Sequence, residues 1–222
     1  MARGDSRERI LDAAERLFAE KGVGGASLRE IGAAAGANPG SLYFHWKVKA
    51  ELVRDVFRRR LEPLDAERMR RLEAAENAAA PAPAPLEAVL EALISPMFAL
   101  VERGERGGAA FLRLLGRTYN EPDRTLVRML HRDHGATVER FREALGRALP
   151  ELQSEQLAVR FHFALGALAH TLASDASWQL VVGRRPGSRS QWLRELVPFL
   201  VAGFGAPPGS REREGERTRG AA

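Results

Sequence analysis

Lys49 stands where a cation is electrostatically out of place. The sequence predicts a helix beginning near Lys47, and a positive charge in a first turn opposes the helix dipole. A phosphate bound at the same helix start would offset that cost. Just upstream, PGSLYFH (Pro39 to His45) reads as a very short helix that turns Leu42 inward and leaves Gly40, Ser41, Tyr43 and His45 largely outward. A helix of this length has no stability of its own. It must be braced by neighbours, and a braced stub with a polar outer side suits insertion into a DNA groove, the logic of a helix-turn-helix. In this reading Arg29, Gly40 and Ser41 face base edges or the nearby backbone. Glycine at 40 reads no base by side chain and instead permits close approach.

The elements that would hold this stub are legible on either side. Ser27 is a natural N-cap, and Glu30 three residues on completes a capping box. Leu28, Ile31 and Ala35 then share one helical face. Gly36 supplies the positive φ that ends this helix. Asn38 caps the next, with Pro39 at its first position, where a missing amide proton costs nothing. A preceding helix runs from about Ser6 to Lys21, with Ile10, Leu11, Ala14, Leu17 and Phe18 as its stripe and Gly22 as its stop. Arg3, Arg7 and Arg9 lie at or before its start, placed equally for a phosphate or for solvent. After Lys47, Leu52, Val53, Val56, Phe57 and Leu61 continue the apolar stripe. Pro63 predicts a kink or break near Arg60–Pro63, followed by more helix to about Glu73.

The pattern Ile31, Ala35-Gly36, Ser41-Leu42-Tyr43, His45, Lys49, Leu52 resembles the DNA-binding segment of TetR-type transcriptional regulators, and residues 7–57 fit that family's N-terminal domain. The resemblance implies that Tyr43, His45 and Lys49 contact phosphates. Together with the reading of the two helices, this gives Ser27, Arg29, Asn38, Pro39, Gly40, Ser41, Tyr43, His45 and Lys49 as the expected DNA-binding set. Two positions depart from the pattern. Val48 stands where the family usually has a capping Ser or Asn, so another group must cap the following helix. Trp46 replaces the usual Phe and is expected to pack as a large apolar anchor.

Composition narrows the alternatives. With 45% hydrophobic and 28% charged residues, disorder throughout the chain is excluded. There is no cysteine, hence no disulfide, thiolate metal site or cysteine nucleophile. The N-terminal segment has helical apolar spacing interrupted by acids, unlike a signal peptide, and no apolar run approaches membrane-spanning length. A cytoplasmic protein with no membrane partner is expected. Residues 1–60 hold 12 Lys+Arg against 8 Asp+Glu, so most of the net +5 lies on the helix-turn-helix segment, where phosphate attraction would need it. No phosphate-cradling glycine loop, nucleophile elbow or zinc-protease pair occurs, and neither an enzyme nor a cofactor is expected. His131 and His134 share a helical face at a spacing that suits a metal, but no third ligand stands at diagnostic spacing, and solvent exposure is the simpler reading.

Beyond the proline-alanine linker at Asn77–Leu86 the apolar spacing is helical throughout, and the class is all-α. Leu86–Leu100, with a kink at Pro96, then Ala110–Thr118, Asp123–Ala148, Ser154–Ala173 (capped by Ser154) and 190–205 are the expected helices. The last two are more apolar than surface helices need to be; Gly166 and Ala169 allow close approach. They suit a homodimer interface, with burial inside the monomer as the rival. Expected units are 1–50 for the DNA-binding domain, 51–205 for a ligand-binding and dimerisation bundle, and a disordered 206–222. FLRLLGRTYNEPDRTLVRML, RFHFALGA and VPFLVAGF resemble the C-terminal part of the fatty-acid-responsive, PsrA-like branch of TetR regulators, which implies a long apolar effector such as a fatty acid or acyl thioester. Arg113, Arg117, Tyr119, His162 and His170 are candidates for its head group, with surface or interface hydrogen bonding as the competing role. The resulting expectation is a homodimeric repressor whose ligand releases it from a DNA operator by changing the separation of two recognition helices, about 34–36 Å in typical dimers. Activation, a helical ligand-binding or catalytic bundle without specific DNA binding, and a nonspecific architectural DNA binder stay open on sequence alone.

Overall fold

Leu72, Phe57 and Leu52 lie fully buried along one helix, and that helix organises the molecule. In the computed structural model, which describes residues 3–120, 123–173, 179, 183 and 189–207, the helices are α1 (Arg3–Gly25), α2 (Leu28–Ala34), α3 (Pro39–His45), α4 (Lys49–Ala79), α5 (Leu86–Glu102), α6 (Gly108–Asn120), α7 (Arg124–Ala148), α8 (Ser154–Ala173) and α9 (Arg189–Gly205). Among the described residues there is no strand, so the chain is all-α as expected. α1 to α3 and the start of α4 form an N-terminal cluster. α4 then runs on to pack against α5 and α7, while α6 packs between α1 and α8, and α9 lies on α5. Phe57 of α4 meets Phe111 of α6 edge to face at 6.0 Å, joining the two parts of the core.

The stripe read from α1 is buried in full, and Gly22, at φ 76, interrupts the helical backbone at the expected place. Several expectations are corrected. α4 is one helix through Pro63, because that proline is exposed while Leu61 and Leu64 on either side are buried and hold the helix across the missing amide. It continues past Glu73 to Ala79, since Leu72 is buried and Glu76 binds Arg140 and Arg147 of α7. The linker therefore contracts to residues 80–85, with Ala84 tucked into the core. Ser154 is the first residue of α8 rather than the residue preceding it. Val138 on α7 and Phe199 on α9, apolar residues within helices predicted from their apolar spacing, are 46% and 67% exposed, and Ala169 faces inward at 1%. The expected disorder of 206–222 falls, from residue 208 on, outside the described residues.

Candidate nucleic-acid interface

α2 is held at both ends by local chemistry. Ser27 Oγ accepts the Glu30 amide at 3.2 Å, and the Glu30 carboxylate accepts the Ser27 amide at 2.8 Å, which completes the capping box. Lys21 Nζ lies 3.0 Å from the other Glu30 oxygen. The Ser27 backbone donor, then Lys21 and the Ser27 hydroxyl, hold the Glu30 carboxyl at about 2, against an ordinary 4.5. At the other end Gly36, at φ 58, lets the Ala37 amide reach the Gly32 carbonyl at 3.0 Å and its own amide reach Ala33 at 3.1 Å, the paired bonds of a Schellman turn. That turn delivers Asn38, whose Oδ1 accepts the Ser41 amide at 2.9 Å and starts α3. A Cβ at Gly32 would stand 3.5 Å from Leu42, so α2 and α3 sit close together.

The far end of α3 is bolted down by Trp46, 2% exposed. Its indole Nε1 donates to Asp55 at 3.0 Å; Arg7 donates to the same carboxylate oxygen at 2.7 Å and lies over the indole at 5.6 Å. Arg7 is thus part of the bracing. Ser6 and Ser41 hydroxyls meet at 2.9 Å, tying α1 to one flank of α3. Val48 lacks a capping oxygen; the Glu51 carboxylate instead reaches back over the helix start, accepting the Lys47 amide at 2.9 Å. Lys49 follows, half-buried, its Nζ 5.9 Å from the Phe18 ring centre.

Against this bracing, the outward side of α3 is open. Leu42 is 2% exposed, while Tyr43 is 57% and Phe44 70% exposed. Ser27, Arg29, Asn38 and Gly40 are exposed, and Ser41 and His45 half-buried. The positive charge on this segment is selectively spent. Arg54 binds Asp133 of α7; Arg58 binds Asp55; Arg59 and Arg60 bind Glu15. Arg29, Lys47 and Lys49 have no carboxylate partner among the described residues; Arg29 lies in α2, Lys47 in the connection after α3 and Lys49 at the start of α4.

One further cluster ties this unit to the remainder. Glu15, 1% exposed, accepts from Arg59 Nη2 at 2.9 Å and from Arg60 Nε and Nη2 at 2.9 and 3.0 Å. Burial alone would lower the Arg59 pKa, but Glu15, Asp12 and Glu8 outweigh it and raise it. Arg60 also donates to the Arg106 carbonyl, in the turn that enters α6.

Family models match both parts of the chain: bacterial regulatory proteins of the tetR family over residues 10–56, and the tetracyclin repressor-like C-terminal domain over residues 91–203. The chain belongs to the TetR family. The transcriptional regulator AcrR of Shigella flexneri is 43% identical over 53 residues, which cover 24% of this chain and 25% of that protein. The matched stretch thus spans about a quarter of that relative's length. Among solved structures, a probable transcriptional regulatory protein, RHA5900, superposes with a TM-score of 0.60 at 20% identity over 90% of this chain and all of that one. FadR from Bacillus subtilis in complex with stearoyl-CoA superposes at 0.53 and 18% identity, over 88% and 98%. At these identities the structures share the TetR fold.

In the C-terminal part of this TetR-family chain, the five head-group candidates do not converge. Arg113 is exposed on a polar cleft of about 420 Å³ between α1 and α6, where Arg9, Asp12, Arg16 and Arg106 also stand. Arg117 donates to the Glu20 carbonyl at 3.4 Å, near the kink at Gly22. Tyr119 is 45% exposed near the end of α6. His162 and His170 are exposed on the outer face of α8. His131 is exposed, but the exposure expected of His134 is corrected: its side chain is 12% exposed and Nδ1 meets Asp65 at 2.8 Å, because α7 packs it against α4. Among the described residues no three potential metal ligands converge. Sequence reasoning passed over Phe44, whose position two residues from inward Leu42 already marks it as outward. It also passed over Glu15, one acid among several along α1, which carried no local signal.

Proposed function

We propose that this protein is a sequence-specific, homodimeric DNA-binding transcriptional regulator that represses until a small apolar effector releases it. The observation that carries the reading is the contrast along α3: Leu42 and Trp46 are locked inside while Tyr43 and Phe44 stand open, beside three cations without carboxylate partners. Residues 1–50 are the DNA-binding unit, with Ser27, Arg29, Asn38, Pro39, Gly40, Ser41, Tyr43, His45 and Lys49 as its contact set. Residues 51–205 form the effector-binding and dimerisation bundle. Val159 and Phe163 on α8 and Phe199 on α9, all strongly exposed, form the dimer face, and open space at Gly166 and Gly203 allows close approach of a second copy. A fatty acid or acyl-CoA is the proposed effector class, supported by the complex of B. subtilis FadR with stearoyl-CoA and by the C-terminal sequence blocks.

Reversing the charge at Lys49 tests the DNA assignment. Glu at a helix start is favourable for the helix, so Lys49→Glu should leave the fold intact. Affinity for a duplex selected from random sequence should fall, and the slope of log affinity against log salt should drop by about one per protomer. Unchanged affinity and slope would refute the assignment. Native mass spectrometry of freshly purified protein tests the rest: a dimer carrying an acyl species is expected, and a clean monomer would overturn both C-terminal proposals.

A further inference from the structure

Phe44 is the most exposed large apolar side chain among the described residues, at 70%. It sits on the helix that the proposed function inserts into DNA, and this inference rests on that reading. With about 100° per residue, Gly40 and Phe44 each lie within about 20° of the line opposite Leu42. They are one turn apart on the outermost ridge of α3. Ser41 and Tyr43 fall on the two flanks, and the Ser41 hydroxyl is engaged by Ser6 at 2.9 Å.

The ridge therefore meets the groove floor first, and it carries no hydrogen-bonding side chain. Gly40 brings the backbone close, and Phe44 then projects beside it. An apolar ring has one apolar partner among the base edges of the major groove, the C5-methyl group of thymine. We infer that Phe44 is a specificity-determining residue that reads a thymine methyl in each operator half-site, while Arg29, Tyr43 and Lys49 supply polar contacts around it. The readout is apolar at the centre and charged at the rim.

The test replaces thymine by deoxyuridine, which removes the methyl and keeps the pairing. A duplex is first selected from random sequence with the wild-type protein, and each thymine is then substituted symmetrically in both half-sites. Burial of one methyl predicts about a fourfold loss per half-site, or about fifteenfold for the pair, at one thymine position. Phe44→Ala should bind the thymine duplex more weakly and no longer distinguish thymine from uracil there. Phe44→Leu should keep part of the discrimination. Phe44 is 70% exposed, its ring meeting His45 edge to face at 5.3 Å, so both variants should stay folded, and thermal unfolding of each checks it. Uracil without effect at every position, or discrimination undiminished in Phe44→Ala, would overturn the inference and leave DNA binding standing. Failure to enrich any sequence would overturn the proposed function beneath it.

Discussion

Glu15→Gln removes the charge at the centre of the junction between α1, α4 and the entrance to α6. The wild-type carboxylate is 1% exposed and takes three hydrogen bonds from two guanidinium groups. Breaking a buried pair by removing one partner costs about 3–5 kcal/mol when the remaining charge has no other compensation. Here compensation is partial. Arg59 keeps Asp12 and Glu8, Arg60 keeps Glu105 at 3.7 Å, and the two side chains are 19% and 13% exposed. The expected loss is thus reduced to about 2–3 kcal/mol. For a chain of this size that corresponds to a fall in Tm of about 4–12 °C. Thermal unfolding followed by circular dichroism, at fixed protein concentration, measures it. Amide exchange in the turn around Arg106 should quicken as well, because Arg60 binds that carbonyl. In the Arg60→Met background the same change should cost at least about 1 kcal/mol less, as expected for residues in direct contact. A fall in Tm below about 1 °C, or full additivity with Arg60→Met, would refute the view that this pair couples the two parts of the chain.

Gly107→Ala should destabilise by about 2–4 kcal/mol, read by urea unfolding, because the residue sits at φ 81 and its new Cβ would collide with Glu15 and stand 2.6 Å from Arg60 Nη2. Phe163→Glu, at a 66% exposed site on α8, should convert the dimer to monomer in sedimentation velocity at micromolar concentration with an unchanged monomer fold; a persisting dimer would exclude α8 from the interface. The Glu30 carboxyl should titrate near 2 by carbon-detected NMR, and Ser27→Ala should move it toward 4.5. Since its folded pKa is depressed, the stabilisation it gives is complete above about 4.5 and is lost as pH falls through about 2, so the start of α2 should hold until the acid end of the titration.

The N-terminal unit was legible because its signals are local. A capping serine, a positive-φ glycine and a capping asparagine each act within three or four residues, and Ser27, Gly36 and Asn38 all do so in the structure. Trp46 was read as an anchor because it stands where the family usually has Phe, and its depth in the core agrees. The continuity of α4 was not legible, since whether Pro63 breaks a helix depends on what Leu61, Leu64 and Leu72 pack against. The same holds for Glu15 and His134, whose partners lie 44 and 45, and 69, residues away. Charge counts located the basic segment but not the three cations left over, because Arg54, Arg59 and Arg60 are consumed by acids from α7 and α1.

α7 grips α4 at three stations: Asp133 on Arg54, His134 on Asp65, and Arg140 with Arg147 on Glu76. Fastened to α7 at these points and packed along α5 besides, α4 has little freedom to bend between them. A displacement of α7 would pull on α4 at all three points, and the leading tip of α4, five residues before Arg54, is Lys49. Under the proposed function, a rearrangement among the C-terminal helices would reach the basic rim of α3 through this one continuous helix.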